Sequence, residues 1–394
     1  MQTQLNDNIL TLRPEGRIDS ANAAQVEQEI QDAIRTAPGA ELELDAGGLD
    51  YISSAGLRVL MKLRKQMGKP LTVWNVSPEV YDIFEVTGFT ELLDVRRRMR
   101  EVSVDGFELL GEGANGKVYR LTRDEMIKVF RPGLSLEEIE AEREASRRTF
   151  LLGVPCAIAF DTVMADGSYG TIYETLNAAT ITERIRETPE RLPELAAAAA
   201  QLLRQLHETE VPAGELPDAM RLLYSTLDKV AEDFTPEEAA RLRALYASIP
   251  PMNRFVHNDY HTKNVMEADG ELMLIDLGDA GAGNPVIDLI HCYFVFNLIG
   301  DSTPHSEEDI AFIGLTYGEM KRFWTVFIET YCGDKVKAET LCEKLEPYAR
   351  LMYYTVSMAH PRLPKAYHPA YAEKVRKLVL SRYDEILGSL ADPE

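Results

Sequence analysis

An aspartate, an asparagine five positions on and a second aspartate twelve beyond that (Asp259, Asn264, Asp276) constrain this chain more than any other feature. The first two lie in His257-Asn258-Asp259-Tyr260-His261-Thr262-Lys263-Asn264, and the third closes the apolar run Leu274-Ile275-Asp276. Phosphoryl transfer from ATP needs such a set: one carboxylate orients the attacking hydroxyl, while an amide and a second carboxylate hold Mg²⁺ against the phosphates. A lone Asp or Asn beside a histidine carries little information, so the rest of the chain must supply the remaining parts.

A nucleotide loop lies upstream. Phe107-Glu108-Leu109-Leu110 reads as a short strand and Gly111-Glu112-Gly113-Ala114-Asn115-Gly116 follows it. Lys117-Val118-Tyr119-Arg120-Leu121 then resumes the alternation of a second strand. Dinucleotide folds use glycines at the same spacing, but there a helix must follow so that its N-terminus meets the pyrophosphate. Here a strand follows, so Gly111, Gly113 and Gly116 read as a flap whose backbone amides cover phosphates. Lys128, in Met126-Ile127-Lys128-Val129-Phe130, sits among apolar residues on a short strand, where its ammonium needs a partner. ATP phosphates and a helical glutamate would serve.

The spacing predicts a helix over 136–152, with Ser135 as N-cap and Glu138 as its capping-box partner. Glu142 is favoured over Glu144 as the partner of Lys128, because Ile139, Ser146 and Phe150 share its face. Gly170-Thr171-Ile172-Tyr173-Glu174-Thr175-Leu176 reads as a strand running into a hinge, whose backbone at Glu174 and Leu176 could hydrogen-bond an adenine.

Taken in order, these elements resemble the protein-kinase-like superfamily, and within it the aminoglycoside phosphotransferase and choline kinase branch. The likeness covers residues 106 to about 390. It implies an α+β bilobal domain over 106–394, with an N-lobe at 106–176 and a C-lobe at 177–394. It implies Asp259 as the catalytic aspartate, Asn264 and Asp276 as metal ligands, and Lys128 on the α- and β-phosphates of ATP. Asp288 resembles the aspartate that braces the catalytic loop, and His207 ends a helix common in that branch, with a packing role. His257 and His261 read as loop-positioning residues. Asp279 either assists a second metal or caps the following turn. No long activation segment and no Ala-Pro-Glu element follow Asp276; protein kinases use that segment as a shelf for a peptide, so a small acceptor is expected.

The first hundred residues have their own organisation. Strands are predicted at 8–12, 41–44 and 71–74, and helices at 22–34, after Tyr51-Ile52-Ser53-Ser54-Ala55-Gly56-Leu57, and at 80–85. Such alternation predicts a small α/β domain over 1–95. Tyr51 to Leu57, with Val86-Thr87-Gly88-Phe89, resembles the STAS domain of anti-sigma-factor antagonists. That likeness implies a regulatory phosphoserine at Ser54 and an anti-sigma factor or other STAS-binding protein as partner. Ser53 stands where that family often has an aspartate. A phosphate on Ser54 would meet free helix N–H groups while adding about −2 charge to a docking face; the bland alternative is that both serines cap the helix.

Residues 96–105 read as a basic linker. Against a net charge of −22 its arginines are expected to pair within the chain, and no nucleic-acid partner is expected. The polar start Met1-Gln2-Thr3-Gln4 predicts no signal peptide. The longest apolar run, 286–300, is broken by Asp288 and His291 and is too short to span a bilayer. Cys156, Cys292, Cys332 and Cys342 lack the spacing of a zinc site or a disulfide framework. A cytoplasmic ATP- and Mg²⁺-dependent phosphotransferase acting on a small hydroxylated or amino substrate is expected, with a STAS regulatory domain. Two alternatives stand beside it: a kinase that phosphorylates Ser54 on its own or another STAS domain, and a non-catalytic signalling adaptor with a ligand-sensing kinase fold.

Overall fold

The computed structural model describes residues 1–6, 8–113, 116–268, 270–299, 306–360 and 363–391. Ala114 and Asn115, read above as the tip of the glycine loop, lie outside the described residues, as does Gly300. The chain divides into two compact units, Met1–Ser103 and Val104–Glu394. Among the described residues no helix is long and apolar enough to cross a membrane.

The first unit is built from strands β1 (Gln2–Asn6), β2 (Ile9–Arg13), β3 (Glu15–Ile18), β4 (Glu41–Asp45), β5 (Gly48–Ile52), β6 (Thr72–Val76) and β7 (Asp94–Arg97). Helices α1 (Ala23–Thr36), α2 (Ser54–Met67) and α3 (Pro78–Val86) alternate with them. β1, β2, β4, β6 and β7 form one sheet in that order, parallel except for β1, while β3 and β5 pair separately. The alternating Leu10 and Leu12 of β2 and Leu42 and Leu44 of β4 go inward and meet Leu60 and Phe84 in one core. Each fully buried side chain of this kind contributes about 1.5–3 kcal/mol. β1 carries no alternation, since all five of its residues are exposed, and the sequence reading missed it for that reason. β7 extends into the run read as a linker. There Arg96 pairs with Asp94 at 2.8 Å, Arg97 lies 3.8 Å from the Tyr81 ring and Arg98 donates to Asn75 Oδ1 at 3.1 Å.

In the second unit the strands Ala159–Ala165, Ser168–Glu174, Glu125–Phe130, Gly116–Arg120 and Glu108–Glu112 follow one another across an antiparallel sheet. The helix Leu136–Leu151 packs on the first two of these strands and begins with the capping box of Ser135 and Glu138. Below the sheet, the helices Leu192–Glu208, Tyr317–Cys332 and Lys335–Ala359 bury a continuous apolar core. Two short strand pairs sit on that helical body and frame the loop from His257 to Asn264.

Candidate active site

The loop is shaped by its two ends. The strand Arg254–Val256 delivers it, paired with Gly281–Gly283, and Val265–Ala268 carries the chain away, paired with Glu271–Leu274. Between them Tyr260 turns inward, and its hydroxyl donates to the Ala199 carbonyl at 2.8 Å. Ala196, Ala199 and Ala200 of that helix are fully buried, small side chains that admit the ring. Beneath the loop, Asp288 is itself fully buried. Its Oδ2 accepts the His257 N–H at 2.8 Å and lies 3.1 Å from His207 Nε2, while His207 Nδ1 meets the Tyr331 hydroxyl at 2.8 Å. Burial opposes the charge of Asp288, but the His207 contact and the loop N–H groups hold its carboxyl below the usual range.

Asp259 projects from the loop at partial exposure. Asn264 Nδ2 donates to Asp259 Oδ2 at 2.8 Å and to the Asp259 carbonyl at 3.0 Å, which fixes the carboxylate. The other oxygen faces two imidazoles, His261 Nε2 at 3.5 Å and His291 Nε2 at 3.4 Å. Burial would raise the Asp259 pKa, yet His261, His291 and His257 outweigh it and hold the carboxyl well below the usual range. His257 Nδ1 also accepts the Asp259 N–H at 3.3 Å, and His261 Nδ1 that of Lys263 at 3.2 Å.

Across from the loop, Lys128 Nζ lies 2.7 Å from Glu142 Oε1 and 3.1 Å from Asp276 Oδ1. Burial works against its charge, but the carboxylates of Asp276 and Glu142 raise its pKa above the ordinary lysine value. Glu144, the other glutamate weighed for this role, turns away and pairs with Arg147 and Arg148. Asp276 has a left-handed φ of +59°, rare for a residue with a Cβ though tolerated by Asp. The Ile275 N–H donates to the Asn264 carbonyl at 3.0 Å, so one backbone bond sets Asp276 beside Asn264. Asp279 shares this region; partial burial and the charges of Asp259 and Asp276 raise its pKa, while its carbonyl accepts from Asn258 Nδ2 at 2.9 Å.

The glycine hairpin closes through the Gly113 N–H, which donates to the Gly116 carbonyl at 2.9 Å. A Cβ on Gly116 would fall 2.1 Å from the Val129 carbonyl oxygen, whereas Gly111 and Gly113 face open space. Only Gly116 is demanded by the protein's own packing. At the hinge, Glu174 Oε1 accepts the Ile158 N–H at 2.9 Å, and the Glu174 N–H donates to the Ile158 carbonyl at 3.0 Å. Leu176 follows at partial exposure, just past the end of the strand.

Among the described residues no three His, Cys, Asp or Glu side chains cluster as a metal site. Asn264 and Asp276 offer instead two hard oxygen donors, the small protein share that suits Mg²⁺ when phosphates complete its shell. In the first unit, Ser53 caps α2 by accepting the Ala55 N–H at 3.2 Å, and Ser54 is its exposed first residue.

The sequence reading assigned nothing to His291 or Tyr331. His291 could have been found, because it lies three residues beyond Asp288 on one helix and so shares its face. Tyr331 carries no such signal.

A glycine hairpin, a Lys–Glu pair reaching an aspartate just past a strand and an Asp–Asn loop on a buried brace define a kinase-like phosphotransferase. Residues 106–321 match the model of the phosphotransferase enzyme family, more than half of the chain, and the chain belongs to that family. Residues 1–94 match the STAS domain of the Mlab type. A candidate anti-sigma factor antagonist, BtrV of Bordetella bronchiseptica, is 35% identical over 105 residues, covering 26% of this chain and 89% of BtrV. Among solved structures, ADP-bound aminoglycoside phosphotransferase APH(2'')-Ib is 14% identical at a TM-score of 0.48, over 77% of this chain and 98% of that one. A choline/ethanolamine kinase family protein from Mesorhizobium loti is 16% identical at a TM-score of 0.46, over 73% and 92% respectively.

Proposed function

We propose that this protein transfers the γ-phosphoryl group of ATP to a hydroxyl of a small molecule, under control of its STAS unit. The observation that carries this reading is Lys128, held between Glu142 and Asp276 while Asn264 holds Asp259. Asp259 orients the acceptor hydroxyl and takes its proton as the hydroxyl oxygen bonds to the γ-phosphorus. The bond from that phosphorus to the β-phosphate bridging oxygen breaks, and ADP leaves with the electron pair. Lys128 offsets the charge of the α- and β-phosphates, Gly111 and Gly113 cover them, and Glu174 and Leu176 present backbone to the adenine. Asn264 and Asp276 would hold Mg²⁺, which when bound neutralises phosphate charge.

A small acceptor is favoured because only eleven residues, Leu277 to Ile287, separate Asp276 from Asp288, too few for a peptide shelf. Four free thiols and an acidic surface fit a cytoplasmic setting. Ser54 is proposed as the regulatory phosphorylation site, read by an anti-sigma factor or another STAS-binding protein. A Ser54→Asp variant that binds such partners as wild type does would overturn that role. For the catalytic reading, the protein is incubated with γ-labelled ATP and a protein-free cell extract, with and without EDTA. Label should enter a small molecule only when Mg²⁺ is free, and label appearing solely as inorganic phosphate would contradict the proposal.

A further inference from the structure

On one flank of the catalytic loop, three elements bring two cations and an aromatic ring together. Lys263 immediately precedes Asn264, and its Nζ lies 4.2 Å from the centroid of the Phe312 ring. The same ring meets the His261 imidazole edge-on at 6.2 Å, and His261 Nε2 lies 3.5 Å from Asp259 Oδ1. Phe312 therefore contacts both the Lys263 ammonium and the imidazole that lies beside Asp259. Phe312 remains 47% exposed although it is large and apolar.

Arg186, on the helix Ile181–Glu187, adds a second cation close enough to repel Lys263. Its Nε donates to the Gly314 carbonyl at 2.7 Å. Gly314 has a φ of +79°, which favours glycine, and a Cβ there would fall 2.7 Å from Arg186 Nη2, so the guanidinium lies directly against this turn. The three elements are tied by Thr182, whose buried hydroxyl lies 2.8 Å from that of Thr262 and 3.2 Å from the Ile313 carbonyl. The arrangement is thus fixed by packing rather than left to surface side chains.

Among the described residues neither Lys263 nor Arg186 has a carboxylate within ion-pair distance. The acidic group that Lys263 senses, Glu183, is already engaged by the Thr180 N–H at 2.7 Å and the Thr180 hydroxyl at 2.8 Å. A half-buried cation without a counter-ion is costly, and stacking on a ring offsets only a small part of that cost. The charge is free for a ligand.

We infer that the acceptor is an anionic hydroxy compound, whose carboxylate or phosphate group lands on Lys263 and Arg186 against Phe312 while its hydroxyl meets Asp259. The inference rests on the phosphotransferase reading above. It runs against an acceptor of the choline or polyamine type, which these two cations would repel.

The charge of the labelled product tests it even while the acceptor is unidentified. Protein incubated with γ-labelled Mg·ATP and a protein-free cell extract is resolved by anion exchange at mildly alkaline pH. A transferred phosphate adds about −2, so products near −3 report a carboxylate acceptor, near −4 a phosphorylated one, near −2 a neutral one and near −1 a quaternary ammonium. The main labelled product should elute at −3 or −4. Lys263→Glu should lower its formation about 100-fold and Arg186→Glu about 10-fold, each with Mg·ATP affinity within about twofold of wild type. Label in a product at −2 or −1, or full activity of both variants on a −3 or −4 product, overturns the inference and leaves the phosphotransferase standing. No labelled product at all overturns the phosphotransferase reading and this inference with it.

Discussion

Asp288 accepts the backbone N–H of Asn258 through Oδ1 at 2.7 Å, and Asn258 holds a left-handed φ of +66°. The residue before Asp259 is therefore kept in a sparsely populated conformation by a buried carboxylate on the helix Val286–Tyr293. Asp288→Asn can accept only one of the two loop N–H groups and turns a donor toward the other. A loss of about 3 kcal/mol in stability is expected from breaking such a buried charged network. The turnover number should fall about 100-fold, with the KM for ATP little changed, because the side chain acts only through the position of Asp259. Urea unfolding and steady-state kinetics on the same preparation check both.

Lys128 is mostly buried between two carboxylates, so removing its charge affects more than nucleotide contact. In Lys128→Met, Glu142 and Asp276 lose their shared cation and face the phosphates unneutralised. The specificity constant for ATP is expected to fall about 100- to 1000-fold. Because its pKa is raised, Lys128 stays charged up to and beyond the ordinary lysine value of about 10.4. No loss of ATP affinity attributable to Lys128 should appear below that pH in a binding titration.

His291 should give the fold an acid-sensitive edge. It faces Asp259, with His261, Asp288 and His257 also within electrostatic reach, and burial depresses its pKa below the ordinary imidazole value. The unfolded chain then takes up this proton first as pH falls through about 6.5. Stability should drop below that pH, by at most about 1.4 kcal/mol per unit, until the folded pKa is reached. Asp259 adds little in this window, because in the unfolded chain it titrates only near the ordinary aspartate value of about 3.9 and in the folded protein lower still, so its own acid loss begins below about pH 5. His291→Gln should flatten the slope of the urea midpoint between about pH 6.5 and 5, and an unchanged slope would exclude His291 as its source.

Gly116→Ala tests the hairpin. The added Cβ would meet the Val129 carbonyl at 2.1 Å, a contact relieved only by moving one strand. A loss of about 1–3 kcal/mol is expected, with weaker nucleotide binding. Gly113→Ala, which meets open space, should keep wild-type stability. Thermal unfolding of the two variants separates the effects.

The parts of the site that were legible are those fixed by spacing along one segment. Asp259 and Asn264 share a loop and Asp276 follows the strand hairpin that leaves it, so one continuous segment carries all three. Lys128 stood out as a charge on an apolar strand. Glu142 and Glu144 could be ranked only by helix face, and it is the pairing of Glu144 with Arg147 and Arg148 that distinguishes them physically. His207 illustrates the limit. Its sequence suggested packing, but its link to Asp288 depends on two helices meeting. Phe312 likewise reaches Lys263 only through tertiary packing, which no local pattern encodes. In the first unit, β3 and β5 were unread because pairing with each other, rather than strong alternation, defines them.

The most direct test is the rate of phosphoryl transfer by Asp259→Asn beside wild type, with Mg·ATP affinity measured on the same samples. Asparagine keeps the size of the side chain but can neither hold the negative charge nor take the hydroxyl proton. Product formation should fall at least about 100-fold while nucleotide affinity stays within about threefold. A variant that still transfers phosphate at the wild-type rate would contradict the assignment of Asp259 and, with it, the proposed chemistry of the site.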